Sequence, residues 1–259
     1  MQVVGYETTG VSGSSDTETA PAALLLASDG IVRREALGPG VELSYRLGER
    51  HCAGVLEGDT HTACASEPAP YCDRHTSRWA CALCTGECEM PLSTCHEEHA
   101  VYLAAFAPAT FKVGVTRSWR LETRLREQGA DRAAHLRTVE DGRIARQIEA
   151  DIATDVGDRV RVPTKVRGLH RCVDESAWEA LLDGFDPLET YRFEYGLDLD
   201  ERPMAETIAT GTVQGTKGRV LVLEVGGSTY AVDLRDLVGH ELTDGSTDRA
   251  LQSSFAAFR

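Results

Sequence analysis

The chain contains no asparagine and only three lysines among its 259 residues. It also lacks any uninterrupted apolar run near the roughly 18–20 residues that a membrane-spanning helix needs. The opening stretch, MQVVGYETTGVSGSSDTETAP, lacks the basic start and apolar segment of a secretory signal. These absences predict a cytoplasmic protein with no membrane partner, and they exclude asparagine as a ligand in any site of the chain.

Acidic residues dominate the charge, because 41 Asp and Glu outnumber 27 Lys and Arg and give a formal net charge of −14. Dense surface carboxylate with little lysine is typical of a halophilic composition, which keeps proteins soluble in a high-salt cytoplasm. The imbalance is uneven, since residues 101–171 hold 14 Lys and Arg against 9 Asp and Glu. This basic segment predicts either a nucleic-acid surface or arginines that pair with nearby acids.

Composition and patterning divide the chain into four segments. Residues 1–20 are rich in Gly, Ser, Thr and acids and predict a flexible tail. Residues 21–98 begin with strand patterns and continue into a Cys-rich region, residues 99–171 mix strand and helix patterns, and residues 172–259 predict a helix followed by strands. We therefore predict an α+β fold with a zinc-bound Cys-rich knuckle region, a small central α/β domain and a C-terminal β-rich segment.

The central segment opens with two β-favouring runs, AVYLAAF and FKVGVTR, which are split by APAT and predict two short strands. A helix is expected from Ser118, which has the side chain of a helix N-cap. Three arginines then recur on one helical face, at Arg117, Arg120 and Arg124. Trp119 lies between them and is expected either to stack on nucleic-acid bases or to belong to the core.

Two further helices are expected in the second half of the chain. The run DGRIARQIEADIATD places Ile144, Ile148 and Ile152 on one stripe, which we expect to be buried. Glu149 lies at the edge of that stripe. The run DESAWEALLDGF predicts a third helix, and alternation in RVLVLEV and TYAVDL predicts a small antiparallel sheet.

Seven of the eight cysteines lie between residues 50 and 99, where apolar periodicity is lost. In a reducing cytoplasm this density favours metal binding over disulfides. Cys72 with His75, and Cys81 with Cys84, have the spacing that places two ligands around one tetrahedral ion. The predicted metal ligands are Cys52, Cys64, Cys72, His75, Cys81, Cys84, Cys88 and Cys95.

Eight ligands would suffice for two closed zinc sites or for one site with spare ligands, and the spacing does not choose between them. A closed set of thiolates and imidazole indicates a structural ion, because catalysis needs an open coordination position. His96 or His99 could replace a cysteine, and reduced thiols or redox disulfides are the alternative to a metal site. Cys172, far downstream, is expected to be an ordinary buried thiol.

Several short motifs resemble known families. They are CAG at residues 52–54, GEC at residues 86–88, and the runs CHEEHAVYLA, FKVGVTR and REQGADRA. Together they resemble an uncharacterised prokaryotic family, the domain-of-unknown-function family numbered 2797, over roughly residues 25–235. The order VYLA, KVG, T, R and E in the central segment resembles the GIY-YIG nuclease superfamily, especially branches in which the second tyrosine is lysine.

The second resemblance implies a site in which one hydrated divalent ion and a scissile phosphate are surrounded by a few side chains. Tyr102 matches the first tyrosine, Lys112 the second tyrosine and Gly114 the second-strand glycine. Arg124 matches the helix arginine and Glu149 the metal-binding glutamate. Tyr102, Lys112, Arg124 and Glu149 are thus the implied catalytic residues, with Mg²⁺ or Mn²⁺ at Glu149 and Lys112 as a general base or a phosphate ligand.

The sequence departs from the superfamily at several positions, because Ala100 replaces the first glycine and neither asparagine nor a following histidine completes the site. Three functions stay open: nucleic-acid binding, cleavage of DNA or RNA, and a non-enzymatic protein-interaction scaffold. The purely structural alternative makes Tyr102 a strand aromatic, Lys112 an edge charge, and Arg124 with Glu149 an ion pair. The residues predicted to bind nucleic acid are Lys112, Arg117, Arg120 and Arg124.

Overall fold

The computed structural model describes residues 1–8, 21–76, 86–87, 93–247 and 249–252. The fold is α+β, as predicted, and the chain divides into two compact units. One unit consists of Met1–Ser77 with Tyr195–Arg259, and the other, here called the central unit, is Arg78–Glu194. These bounds differ from the predicted ones at residues 98 and 171.

In chain order the strands are β1 (Gln2–Glu7), β2 (Ala23–Ser28), β3 (Ile31–Ala36), β4 (Glu42–Arg50), β5 (Val55–Glu57), β6 (Thr60–Thr62), β7 (His99–Phe106), β8 (Thr110–Arg117), β9 (Arg132–Val139), β10 (Glu189–Arg192), β11 (Met204–Ala205), β12 (Ala209–Lys217), β13 (Val220–Val225), β14 (Ser228–Asp233) and β15 (His240–Asp244). The helices are α1 (Leu121–Gln128), α2 (Gly142–Val156), α3 (Val162–Gly168), α4 (Glu175–Leu182) and α5 (Leu234–Leu237). No helix in these described residues is long and apolar enough to cross a membrane.

The first unit is built on one large, mainly antiparallel sheet. Its described strands lie in the order β11-β14-β13-β12-β4-β15-β1-β2-β3-β6-β5, and only β11 with β14 is parallel. The strands predicted near residue 21 form the hairpin of β2 and β3, and the predicted alternating C-terminal strands are also present. Leucines from both ends of the chain, including Leu24, Leu43, Leu221 and Leu237, form its hydrophobic core.

The predicted tail contains a strand of this sheet. β1 pairs with β2 on one side and with β15 on the other, and Val3 is fully buried. A six-residue strand followed by a polar segment has little local signal, and the partner of Gln2 on β15 is Glu241. The tail prediction is therefore wrong for Gln2–Glu7, while residues 9–20 lie outside the described residues.

The central unit holds a four-stranded antiparallel sheet in the order β10-β9-β7-β8. The two predicted strands are β7 and β8, which pair with each other, and β10 belongs here because it pairs with β9. Helix α2 begins at a side-chain cap, since Asp141 accepts a hydrogen bond from the Arg143 amide at 2.7 Å. Asp174 caps α4 in the same way, which accounts for the predicted third helix.

Three expected details of the central unit are wrong. Ile144 is 49% exposed, because α2 turns Ala145 inward while Ile148 and Ile152 only flank the core. Ser118 does not cap a helix, since it opens a 3₁₀ turn (Ser118–Arg120) and α1 starts after that turn without a side-chain cap. Cys172 is exposed and not buried.

Candidate functional site

Four of the predicted metal ligands come together in the first unit. Cys52, Cys64, Cys72 and His75, here called the Cys3His cluster, place their ligand atoms within 4.8 Å of one another. The Nδ1 atom of His75 lies 3.2 Å from the Cys52 sulfur and 3.5 Å from the Cys72 sulfur.

These spacings fit one tetrahedral ion. Zinc–sulfur bonds of about 2.3 Å and zinc–nitrogen bonds of about 2.0 Å separate neighbouring ligands of a tetrahedron by roughly 3.5–3.8 Å. Three thiolates and one imidazole are also the donor set that zinc prefers. The Cys3His cluster could therefore hold a metal such as zinc.

Backbone hydrogen bonds build the cluster around Cys52, which follows the end of β4. The Cys52 amide donates to the Ser66 carbonyl at 2.8 Å, so the chain returns beside it. The amides of Gly54 and Cys72 donate to the Cys52 sulfur at 3.4 and 3.2 Å. Amides that donate to a ligating sulfur favour its thiolate form and orient it toward the metal.

Two neighbouring features keep this loop in place. Gly54 has φ of +69°, and a Cβ there would lie 2.0 Å from the Thr62 carbonyl oxygen, so only glycine fits. The Gln2 amide group donates to the carbonyls of Gly239 and Cys52 at 3.0 and 3.3 Å. The cluster is thus tied to the sheet through β1.

The environment shifts the pKa values of the two buried thiols of the cluster, Cys52 and Cys72, in opposite directions. Burial raises the pKa of the Cys52 thiol. Burial also acts to raise the pKa of Cys72, but hydrogen bonds from the Arg74 and His75 amides and from the Cys52 and Ser66 side chains lower its pKa to about 7. Cys72 therefore reaches the thiolate form near neutral pH, which is the form that binds metal.

The remaining predicted ligands that the structure describes do not join this group. Cys95 lies in a short 3₁₀ turn of the central unit (Ser93–His96) and is a free thiol. His99 is engaged with the carbonyl of Glu97 at 2.7 Å. Cys81, Cys84 and Cys88 lie outside the described residues.

A second group of predicted residues meets on the hairpin of the central unit. Tyr102 of β7 faces Gly114 of β8, and Ala104 faces Lys112. Directly opposed residues project to the same side of an antiparallel pair, so Tyr102 and Lys112 share one face. A Cβ at Gly114 would lie 2.5 Å from the Tyr102 ring, so the aromatic ring packs directly on the glycine.

Tyr102 is held by residues that lie outside the predicted site. Its hydroxyl accepts a hydrogen bond at 2.7 Å from Gln128, which also donates to the Arg124 carbonyl at 3.1 Å. Lys165 donates to the Gln128 carbonyl at 2.6 Å. Gln128 lies in the REQGADRA motif, but no local pattern indicates that it reaches a strand. Burial raises the pKa of Tyr102, so the phenol stays protonated near neutral pH.

Lys112 lies among groups of both charges. Burial and the positive charge of Arg124 lower its pKa to about 8, against the opposing effect of Glu149. Glu149 is only 12% exposed and accepts a hydrogen bond from Arg146 at 2.6 Å. The Glu149 carboxylate thus pairs with Arg146, and the alternative of an Arg124–Glu149 ion pair is wrong. Tyr102, Lys112, Arg124 and Glu149 nevertheless share one electrostatic environment.

The three predicted phosphate-binding arginines have carboxylate partners. Glu127 binds Arg120 at 2.8 Å through one oxygen and Arg124 at 3.1 Å through the other. Glu97 lies 3.5 Å from Arg117. The alternative that these arginines pair with nearby acids is therefore confirmed, although two carboxylates serve three guanidinium groups. Trp119 is 71% exposed, so the alternative that it belongs to the core is wrong.

Comparison with known proteins finds a protein family that matches the chain. A family model described as a protein of unknown function, DUF2797, matches residues 47–242. The matched range includes the Cys3His cluster and the hairpin of the central unit. No curated protein and no solved structure matches the sequence.

Proposed function

We propose that this member of DUF2797, a family of proteins of unknown function, is a zinc-binding protein whose central unit binds nucleic acid. The basic face that we assign to this role consists of Lys112, Arg117, Arg120 and Arg124. The observation that carries the proposal is the shared use of Glu127 by Arg120 and Arg124, which holds two guanidinium groups side by side.

The charge balance of this face favours an anionic partner. Glu97 and Glu127 accompany the three arginines, and Glu149, Asp158 and Arg146 lie near Lys112, so five cations stand against four carboxylates and a small positive excess remains. Arg124 lies close enough to Lys112 to depress the pKa of its amine, and two like charges in a half-buried position repel each other. A phosphate group would relieve that repulsion, and the planar guanidinium group suits its paired oxygens.

We also propose that the ion in the Cys3His cluster is a structural zinc and that the compartment is the cytoplasm. Three thiols and an imidazole fill a tetrahedron, so no position is left for a substrate. The sequence holds four more cysteines in the Cys-rich region, at 81, 84, 88 and 95, which are enough for a second ion. The total of one or two zinc ions is therefore a measurable part of the proposal.

Salt dependence tests the nucleic-acid proposal. Wild-type affinity for DNA and RNA oligonucleotides, measured by fluorescence anisotropy, is expected to fall linearly in log affinity against log salt. Replacing Arg124 with glutamine removes one cation and is expected to reduce that slope by about one unit or less. Arg192→Gln is the matched control, because Arg192 is an exposed arginine on β10, at the far edge of the sheet.

Equal slopes for wild type and Arg124→Gln would remove Arg124 from the binding face. Binding that does not respond to salt, or no binding at all, would contradict the proposal and favour a protein-interaction scaffold.

A nuclease of the GIY-YIG type is the second candidate, and the grouping of Tyr102, Lys112, Arg124 and Glu149 favours it. The chain order β7-β8-α1-β9-α2, with Tyr102 packed on Gly114, supports the resemblance. Glu149 would hold one Mg²⁺ or Mn²⁺ ion, which would neutralise charge on a scissile phosphate of DNA or RNA. Arg124 would donate hydrogen bonds to that phosphate, and the neutral phenol of Tyr102, which is buried, would pack beneath the site and hold Gln128.

Glu149→Gln tests this candidate. The substitution keeps the shape of the side chain but removes a negative charge, so metal-dependent cleavage of labelled DNA or RNA is expected to drop by about 10²-fold or more. Glu122→Gln, at an exposed carboxylate of α1, is the control and is expected to leave cleavage unchanged. Undiminished cleavage by pure Glu149→Gln protein would exclude Glu149 as the metal ligand.

A further inference from the structure

Trp119 is a large aromatic side chain that lies exposed on the surface of the central unit. It is the middle residue of the Ser118–Arg120 turn, which connects β8 to α1. The amide of Ser118 donates to the Glu98 carbonyl at 2.9 Å, so the turn is anchored to the segment that precedes β7. Trp178 of the same unit is buried in the core, whereas 71% of Trp119 faces water.

Charged neighbours hold the indole ring in one orientation. The guanidinium carbons of Arg117 and Arg120 each lie 5.8 Å from the ring centroid. The indole nitrogen donates to the Glu97 carboxylate at 3.4 Å, and that carboxylate also pairs with Arg117. The ring is therefore oriented before any partner binds, which lowers the conformational entropy lost on binding.

An exposed aromatic ring beside two guanidinium groups suits one class of ligand. A nucleic-acid base can stack on the indole face while the phosphates beside it reach the arginines. A base in a duplex has both faces covered by its neighbours, whereas an unpaired base has a face free to stack. A patch that recognised a protein through apolar contact alone would not need two cations at the ring.

We propose that Trp119 is a base-stacking platform and that the basic face therefore prefers single-stranded nucleic acid over a duplex. This inference rests on the proposed nucleic-acid function and adds the class of substrate to it. Arg117 and Arg120 contribute phosphate contacts, and Trp119 contributes the contact that distinguishes unpaired bases from paired ones.

The test compares a single-stranded oligonucleotide of mixed sequence with the same strand annealed to its complement, as DNA and as RNA. Wild-type protein is expected to bind the single strand more tightly at equal salt. Trp119→Ala is expected to weaken single-strand binding by about fivefold to a hundredfold, the range for loss of one stacked base. Duplex binding and the slope of log affinity against log salt are expected to stay unchanged, because no charge is removed.

Two controls separate stacking from loss of structure. Trp119→Phe keeps an aromatic face and is expected to retain most of the single-strand affinity. Leu188→Ala removes another large exposed side chain, 65% exposed and next to β10, and is expected to have no effect. Thermal denaturation of each variant checks that the central unit stays folded.

Salt-sensitive binding that is equally tight for the single strand and the duplex, or that is unchanged by Trp119→Ala, would overturn the stacking inference. The proposal that the basic face binds nucleic acid would then still hold. No binding to either form would overturn both the inference and the nucleic-acid function. Trp119-dependent preference for the single strand would support both.

Discussion

Replacing Cys52 with serine is expected to remove one equivalent of zinc from the chain and to destabilise the unit that holds the Cys3His cluster. The Cys52 sulfur is the centre of the cluster, since it accepts two backbone hydrogen bonds and lies 3.2 Å from His75. Structural zinc binds small domains with an apparent free energy of about 10–16 kcal/mol, comparable with the whole stability of a domain. The measurements are metal content by mass spectrometry on protein purified without chelator, and thermal denaturation.

Cys172→Ser is the matched control, because Cys172 is an exposed free thiol. It is expected to leave both the zinc content and the denaturation temperature unchanged. If the Cys52→Ser protein retained the zinc content of wild type, Cys52 would not be a required ligand, and a wild-type protein without zinc would make the cluster a set of reduced thiols.

Replacing Gly114 with alanine is expected to destabilise the central unit by about 1–3 kcal/mol and to weaken nucleic-acid binding with it. The added methyl group would lie 2.5 Å from the Cζ and hydroxyl atoms of Tyr102, which is completely buried. The ring could move only by breaking its 2.7 Å hydrogen bond with Gln128 and by displacing its neighbours. Urea denaturation and the binding assay described above measure the two effects.

Gly184→Ala provides the comparison within the same unit. A methyl group there would make an ordinary contact at 3.7 Å with the Leu181 carbonyl oxygen, so little change in stability is expected. Equal stability of the two variants would show that the packing of Tyr102 on Gly114 does not constrain the hairpin.

Local patterns accounted for much of the fold. The hairpin of β7 and β8 and the helices α2 and α4 follow from periodicity, turns and caps that lie within a few residues of each other. β1 had no comparable signal, because it is a short strand held between two others, β2 across a polar segment and β15 at the other end of the chain. Ile144 shows a related limit, since a helical stripe does not reveal which edge of the helix faces the sheet.

In the candidate sites too, local patterns predicted some of the contacts, whereas contacts between distant residues could not be predicted. The spacing of Cys72 and His75 correctly predicted that these two side chains lie together, because both lie in one turn closed by a 2.9 Å hydrogen bond. Cys52 and Cys64 joined them only through the path of the chain between β4 and that turn. The contact of Gln128 with Tyr102 likewise connects a helix to a strand 26 residues earlier, which no periodicity encodes.

The pairing of β4 has a consequence for the order in which the chain folds during synthesis. Both neighbours of β4, the strands β12 and β15, lie in the last part of the chain, after the whole central unit. The ribosome therefore releases the cysteines and histidine of the cluster early, but the strands that complete their sheet emerge last. The central unit is one continuous stretch and can fold before them. Until translation ends, β4 keeps two unpaired edges, and this is the interval in which the nascent protein is most exposed to aggregation.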